Sequence, residues 1–543
     1  MDAVQIDGLG SQFAKRRLSR RTALKAGGLG LAASVLPGAG RRAARAQTQP
    51  PAAAKIDRTA VDAALPRLTA LAETAVRDGG VPGLSLVVVY RDEVVLAQGF
   101  GLRSTAGTES VGPDTVFHLA SLSKPVGSTV VSAIVGSGAA TWDDRVIDHL
   151  PDFLLADPWA TRELRITDFY MHRSGLGGDA GGDLERIGYD REAIFERLRY
   201  LELASSPRSR YAYTNIGMTV GGVAAAAAAG MSWEDASAAL LYEPLGMTST
   251  SSRYADFEAA ADQARMHVRL DGAWVPEFSF NPDQQSPAGG VSSTANDMAQ
   301  WLRLLLGNGT VDGKELIPTE PLLAARTPAM SRGRDPFSGD LSFYGYGWGV
   351  GYDDSGEQFL NHAGAFSYGA RSFARLVPEQ QLGIVVLANA FPTGVPDGLA
   401  AAFFDLARNG SLSRDWIAAW SAPYDALYAA FAASGAAYET APASPSPALP
   451  TSAYVGAYAN DYVGPVEIGE AGGGLELAIG PERRSYALRH FDRDTFVCRI
   501  DLEPPAPLTG ATFVIGPDGR AAALRLDYFA GNGQEHFPRA AER

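Results

Sequence analysis

The strongest constraint on this chain is where its strand-forming runs fall. Two β-rich runs, 84–90 (Leu-Ser-Leu-Val-Val-Val-Tyr) and 94–97 (Val-Val-Leu-Ala), sit near the front, split by the charged turn Arg91-Asp92-Glu93. Such a pattern predicts an antiparallel hairpin. Comparable runs return only at 346–352, 372–377 and 383–388, the last two split by Pro378-Glu379-Gln380, and about 120–310 between them is Ala-rich and helix-prone. Strands at both ends of a helical stretch predict a mixed α/β (α+β) domain. Its central antiparallel sheet would be assembled from the two ends, with a helical insert over one face. An apolar periodicity through Leu65, Leu68, Leu71 and Val76 predicts an opening helix.

A second unit follows. The stretch 441–451, Ala-Pro-Ala-Ser-Pro-Ser-Pro-Ala-Leu-Pro-Thr, reads as a stiff linker that does not pack. Beyond it, short runs at 454–458, 466–468, 475–479, 486–488, 495–499, 512–515 and 522–526, with the turn Pro517-Asp518-Gly519, predict a small all-β barrel-like domain over 452–543. The expected organisation is an N-terminal signal at 1–46, a Pro/Ala/Gln tether at 47–55, the α/β domain at 56–440, the linker and the barrel.

The N-terminal expectation rests on Ser19-Arg20-Arg21-Thr22-Ala23-Leu24-Lys25, which precedes a weakly apolar stretch from 26 to 36 and the small-residue site Ala44-Arg45-Ala46. This reads as a twin-arginine export signal that leaves Gln47 as the first mature residue, and it implies a periplasmic or extracellular protein. Removing it takes nine basic and two acidic residues from totals of 47 and 61, so 38 basic residues face 59 acidic ones. A balance that acidic argues against a nucleic-acid partner. No apolar run reaches the roughly 18–20 residues that cross a bilayer, so stable membrane insertion is not expected. Cys498 is the only cysteine, which excludes an intramolecular disulfide and any Cys₂ or Cys₄ metal site. Seven histidines occur singly and no H-E-x-x-H is present, so neither metal nor cofactor is expected.

The chemistry is carried by Phe117-His118-Leu119-Ala120-Ser121-Leu122-Ser123-Lys124. A hydroxyl becomes a nucleophile when a neighbour takes its proton, and S-x-x-K at a helix start sets serine and lysine on one face within reach. A lysine serving as base has to be desolvated, so Lys124 is expected to be buried. Tyr213-Thr214-Asn215 adds a phenol that can shuttle the serine proton and an amide that can orient Lys124 and the substrate. His362-Ala363-Gly364, in a strand context, offers a substrate-facing wall, with the Ala365 backbone N–H joining that of Ser121 in an oxyanion hole. Several other candidates read as structural. Ala365-Phe366-Ser367-Tyr368-Gly369 only approximates a nucleophile elbow, because a β-like stretch and not a helix follows Ser367. Tyr458-Ala459-Asn460 repeats the Y-x-N spacing inside the β-domain. His118 and His172 read as core histidines, and Asp143 and Asp144 as helix-start residues.

Taken in this order, S-x-x-K, Y-x-N and an H-x-G triplet resemble the motifs of the β-lactamase-like serine hydrolases: class C β-lactamases, D,D-peptidases and their esterase and aminopeptidase relatives. Thr167-Asp168-Phe169-Tyr170-Met171-His172-Arg173-Ser174-Gly175-Leu176, Tyr242-Glu243-Pro244-Leu245-Gly246-Met247 and Ala288-Gly289-Gly290-Val291-Ser292-Ser293 are similar to further segments of that family, over roughly 60–400. The C-terminal part resembles the lipocalin-like appendage of many such hydrolases. The resemblance implies an acyl-enzyme on Ser121, with Lys124 and Tyr213 moving protons and Asn215, His362 and Gly364 orienting a small-molecule or peptide substrate. Where β-lactamases carry Lys-Thr-Gly, this chain has lost a permanent cation and a hydroxyl. That argues against a β-lactam as substrate and gives His362 the expected role of a weaker, pH-dependent donor. The expected activity is a peptidase or amidase, for which the resemblance implies D-residue or linearised cyclic peptides as candidate substrates; a carboxylesterase of the same fold is the alternative, and a penicillin or peptidoglycan sensor that acylates without turnover is the reading from a different class.

Overall fold

The computed structural model describes residues 55–334, 341–353, 355–500, 504 and 506–541. The twin-arginine segment and all of the tether except Lys55 lie outside them.

In the hydrolase domain the principal strands are β1 (Gly83–Tyr90), β2 (Glu93–Gly101), β3 (Met330–Arg334), β4 (Leu341–Tyr344), β5 (Gly349–Tyr352), β6 (Gln358–Phe366), β7 (Ala370–Val377) and β8 (Leu382–Ala388). They form one antiparallel sheet in the order β2-β1-β8-β7-β6-β5-β4-β3, so its centre joins strands from the two ends of the domain. The main helices are α1 (Arg58–Arg77), α2 (Ser123–Gly136), α3 (Gly182–Arg186), α4 (Arg191–Arg197), α5 (Asn215–Ala228), α6 (Ala295–Leu306), α7 (Val395–Asn409) and α8 (Trp416–Ala432).

Both faces of the sheet are covered, which explains why β1 is apolar at nearly every position. Side chains alternate along a strand. Leu84, Leu86 and Val88 therefore pack with Leu68 of α1 and Phe403 of α7, while Val87 and Val89 enter the core of the helical insert with Trp301 and Leu302 of α6. Each such side chain, fully buried, contributes about 1.5–3 kcal/mol. Two strands went unpredicted, β3 and β4. β3 is the polar outer edge of the sheet, where Ser331, Arg332, Gly333 and Arg334 give no alternating apolar pattern, and β4, Leu-Ser-Phe-Tyr, is only four residues long.

The C-terminal strands β9 (Gly456–Asn460), β10 (Gly464–Ala471), β11 (Gly474–Ile479), β12 (Arg484–Asp492), β13 (Thr495–Cys498), β14 (Thr509–Ile515), β15 (Ala521–Leu526) and β16 (His536–Pro538) run in sequence order as one antiparallel sheet. The sheet curls nearly shut: the Ala540 N–H donates to Ala457 O at 2.8 Å, and Tyr458 bridges to Arg539. Inside lie Tyr454, Tyr458, Val466, Leu477, Phe513 and Leu524. The Pro-rich stretch departs from expectation because it lies along this barrel. Its Ser446 N–H donates to Asp492 Oδ1 at 2.7 Å, and Ser446 O accepts from the Arg493 N–H at 2.9 Å.

Candidate active site

Ser121 sits in a single 3₁₀ turn, Ala120–Leu122, that feeds directly into α2. The preceding Ala120 holds φ +48°, a conformation that costs a non-glycine residue on the order of 1–3 kcal/mol and persists only where its surroundings impose it. Here Met266, Phe366 and Ala370 pack around it. The turn is further pinned by backbone bonds, Leu119 N–H to Val291 O at 2.9 Å and Val291 N–H to Ser123 Oγ at 2.9 Å. From the sheet side, Ser372 Oγ donates to Leu119 O at 2.5 Å. Thus a strained turn is clamped between β7 and the 288–293 segment.

One helical turn after Ser121, Lys124 is fully enclosed, while Ser121 itself is partly open. The Lys124 Nζ lies 3.0 Å from Ser121 Oγ, 2.7 Å from Asn215 Oδ1 and 2.8 Å from Ala288 O. Burial drives its pKa well below that of a solvated lysine. A neutral amine has two N–H groups and one lone pair. Since Asn215 Oδ1 and Ala288 O can only accept, they take the two N–H groups and leave the lone pair directed at the Ser121 hydroxyl.

The other side of Ser121 is formed by Tyr213, which precedes the N-cap Thr214 of α5. Its hydroxyl donates to Ser121 Oγ at 2.8 Å, and Lys124 Nζ lies 4.6 Å from its ring centroid. Burial raises the phenol's pKa, so it is a neutral proton donor. The buried His172 ring packs 4.5 Å from the Tyr213 ring, and its Nδ1 accepts from the Thr214 N–H at 3.2 Å. Burial first, and then Lys124, keeps His172 neutral. This histidine shapes the phenol's pocket without contacting Ser121.

The wall opposite is β6. Gly364 allows it to lie on the nucleophile turn, because a Cβ there would stand 2.0 Å from Leu119 O and 2.8 Å from Leu122 N. Gly364 O accepts from Arg371 Nη1 at 3.0 Å. The only cis bond among the described residues is Phe391-Pro392, so the Gly364–Ala365 peptide is trans and its N–H points opposite to that carbonyl. Arg371 and Asp397, both buried, form a forked ion pair with Nη2 to Oδ1 at 2.7 Å and Nε to Oδ2 at 3.1 Å.

His362 corrects an expectation. Its Nδ1 lies 2.7 Å from Ala363 O, which can only accept, so Nδ1 carries the proton and Nε2 accepts from Tyr344 OH at 3.0 Å. Burial first, and then the charge of Lys124, pushes the ring well below its ordinary pKa. Both nitrogens are engaged and the ring is neutral, which leaves no pH-dependent donor for a substrate. Ser367 lies in the tight turn joining β6 to β7, away from any strand-to-helix elbow. In the barrel, the Tyr458 hydroxyl donates to Tyr454 O at 2.6 Å, a structural contact.

Three contributors were not anticipated: the Ala288 carbonyl, Tyr344 and Arg332. The Arg332 guanidinium lies 5.6 Å from the Tyr211 ring centroid, and its Nη1 donates to Ser342 Oγ at 3.0 Å. Its buried Nε and Nη2 have no hydrogen-bond partner among the described residues. Ala288 belongs to a quoted motif, but a backbone acceptor has no residue-type signal.

The β-lactamase family profile matches residues 68–407, and a domain of unknown function (DUF3471) matches 440–537. An unguisins hydrolase of Aspergillus campestris is 25% identical over 82% of this chain and 86% of its own length. Penicillin-binding protein 4 of Amycolatopsis lactamdurans is 30% identical over 60% of this chain and 83% of its own. The esterase EstB of Burkholderia gladioli is 28% identical over 62% and 93%. Among solved structures, the octameric penicillin-binding protein homologue from Pyrococcus abyssi superposes with a TM-score of 0.54 at 19% identity, covering 87% of this chain and 99% of that one. The ordered motifs, the two-ended sheet and a profile match over most of the chain lead to one conclusion: this chain belongs to the β-lactamase family.

Proposed function

We propose that this chain is an exported serine hydrolase that works through an acyl-enzyme on Ser121 and cleaves amide bonds. The observation that carries the proposal is the enclosed Lys124 amine, whose two N–H groups are held by Asn215 Oδ1 and Ala288 O so that its lone pair meets the Ser121 hydroxyl. In this reading Lys124 takes the hydroxyl proton as Oγ bonds to the substrate carbonyl carbon. The oxyanion is received by the N–H groups of Ser121 and Ala365, and loss of one such donor typically costs about 10²–10³ in rate. The leaving nitrogen takes its proton from the Tyr213 hydroxyl, and the protonated Lys124, whose Nζ lies 4.6 Å from the Tyr213 ring centroid, returns a proton to the phenolate. Water then repeats the sequence on the ester.

The two Arg332 donors that have no hydrogen-bond partner among the described residues, beside Tyr211, match a carboxylate and favour a peptide substrate with a free acidic group. A carboxylesterase is the second reading, favoured by the EstB relative. Export through the twin-arginine pathway rests on Arg20-Arg21 and the apolar stretch that follows.

A fluorophosphonate probe should label the wild type at one equivalent, and Ser121→Ala should not be labelled. Equal labelling of Ser121→Ala would falsify the assignment. Parallel turnover of a peptide anilide, a nitrophenyl ester and a chromogenic cephalosporin separates the substrate classes. A burst of one equivalent without turnover on all three would make the protein a sensor.

A further inference from the structure

The C-terminal barrel concentrates its polar contacts on the segment that contains α3 and α4. Tyr462 is fully buried at this joint; its hydroxyl donates to Asp183 Oδ1 at 2.5 Å and accepts from the Gly181 N–H at 3.0 Å. Asn532 Nδ2 donates to Asp183 Oδ2 at 2.8 Å and to Asp179 O at 3.0 Å. In the other direction the Tyr189 hydroxyl donates to Val463 O at 2.6 Å. The N-terminus of α3 is thus held from the barrel by two side chains.

On its inner side the same short segment touches, at two places, the stretches that hold the catalytic lysine. On the first, Glu185 Oε2 accepts from Gln285 Nε2 at 2.7 Å, and Arg191 of α4 binds the neighbouring Gln284 through its N–H, at 2.8 Å to Oε1. Three residues beyond Gln285 is Ala288, whose carbonyl takes one N–H of Lys124. On the second, Gly181 lies so close to Ile216 that a Cβ would stand 3.1 Å from its side chain. The residue before Ile216 is Asn215, whose Oδ1 takes the other N–H. The stretches that carry the two fixed acceptors of Lys124 are therefore each in contact with a segment clamped by the barrel.

We infer that the C-terminal barrel is a positioning domain for the Ser121–Lys124 centre: Tyr462 and Asn532 fix α3, and α3 fixes the two acceptors that aim the Lys124 lone pair at Ser121. The inference rests on the reading of Lys124 as the base. Its consequence is specific. If α3 loosens, Ala288 O and Asn215 Oδ1 lose their fixed spacing, water reaches the amine, and the lysine reverts toward the protonated form that a solvated side chain prefers. The other titratable groups facing Lys124, namely Tyr213, His172 and His362, belong to the hydrolase domain and make none of the barrel contacts, so they stay as they are.

The test uses the full chain and the pre-steady-state burst of p-nitrophenol from p-nitrophenyl acetate, followed against pH. Tyr462→Phe removes one hydroxyl, and Asn532→Leu reaches the same helix independently should the first variant fold poorly. Each should move the acid limb of acylation upward by about half a pH unit or more, with the rate regained at alkaline pH. A midpoint that stays in place while the amplitude falls would mean the joint serves stability alone and overturns the inference. Gln534→Ala, which breaks the barrel's 3.2 Å contact with Tyr200 O away from α3, should keep the wild-type midpoint. An equal shift there would overturn the route through α3. Absence of Ser121 acylation in the wild type would sink the underlying reading; normal wild-type acylation with unmoved variants sinks only the role of the barrel.

Discussion

The buried pair Arg371–Asp397 offers a prediction in which stability and catalysis should separate. Arg371 and Asp397 are 1% and 0% exposed, and the guanidinium is satisfied by both carboxylate oxygens, by the Tyr424 hydroxyl and by Gly364 O. Asp397→Leu would strand the Arg371 charge in the core, and breaking a buried pair on one side costs about 3–5 kcal/mol. Against a total of roughly 5–15 kcal/mol, that is a large fraction. Replacing both partners by apolar residues of similar volume is commonly neutral or stabilising, so Arg371→Met/Asp397→Leu should recover to within about 1 kcal/mol of wild type. Catalysis should not recover with it. The double variant still lacks the donor on Gly364 O, and the same peptide carries the Ala365 N–H proposed to receive the oxyanion. A mis-oriented donor costs less than a deleted one, so acylation should remain down on the order of 10-fold, below the 10²–10³ of full removal. Urea unfolding gives the first quantity, and the p-nitrophenyl acetate burst, measured on the folded plateau, gives the second. Wild-type acylation in the double variant would refute the idea that Arg371 orients this peptide. A loss under about 1 kcal/mol in Asp397→Leu would refute the burial argument itself.

Two further outcomes follow from single positions. Gly364→Ala should leave the protein folded but lower acylation about 100-fold or more, because its Cβ would push on Leu119 O and Leu122 N and displace the turn of Ser121; circular dichroism alongside the burst distinguishes this from unfolding. Burial raises the Glu185 carboxyl to about 8, and its Oε1 has no hydrogen-bond partner among the described residues. A carboxyl raised in the folded state contributes stability that is complete below its ordinary value and declines as pH rises toward about 8. Wild-type stability should therefore fall by on the order of 2 kcal/mol between about pH 5 and 8, after allowing for relaxation of the full shift. Glu185→Gln should flatten that slope, and equal slopes in urea melts of the two proteins would contradict it.

What could be read from the sequence was whatever is local or repeated. Ser121 and Lys124 are three residues apart on one short stretch, so their proximity needs only a helix start. The strands at 84–90 and 383–388 are apolar on both faces because both faces are covered, which made them legible and let the two-ended sheet be anticipated. Strand β3 escaped because an exposed edge keeps polar residues and a Gly333 where a pattern would otherwise show, and β4 because its four residues are too few to show one. His362 was read by residue type alone, and type does not reveal that Tyr344 and its own Ala363 carbonyl occupy both ring nitrogens.

The contacts that tie the two domains together were the least legible, and for a physical reason. Tyr462 and Asp183 are 279 residues apart. In sequence one is an aromatic in the turn between two β-runs and the other an acid in a short Gly-rich segment, each fully explained by its neighbourhood. Only their meeting gives a buried carboxylate its donors. The same holds on the catalytic side, where the Lys124 acceptors are a side-chain amide 91 residues away and a backbone carbonyl 164 residues away. A lysine that is to stay neutral has to be enclosed from several directions, and enclosure is a property of packing that no local motif encodes. The S-x-x-K spacing therefore predicts that Lys124 can reach Ser121. Whether it reaches it as a base depends on distant segments, α5 and the 286–289 turn, that close around its amine.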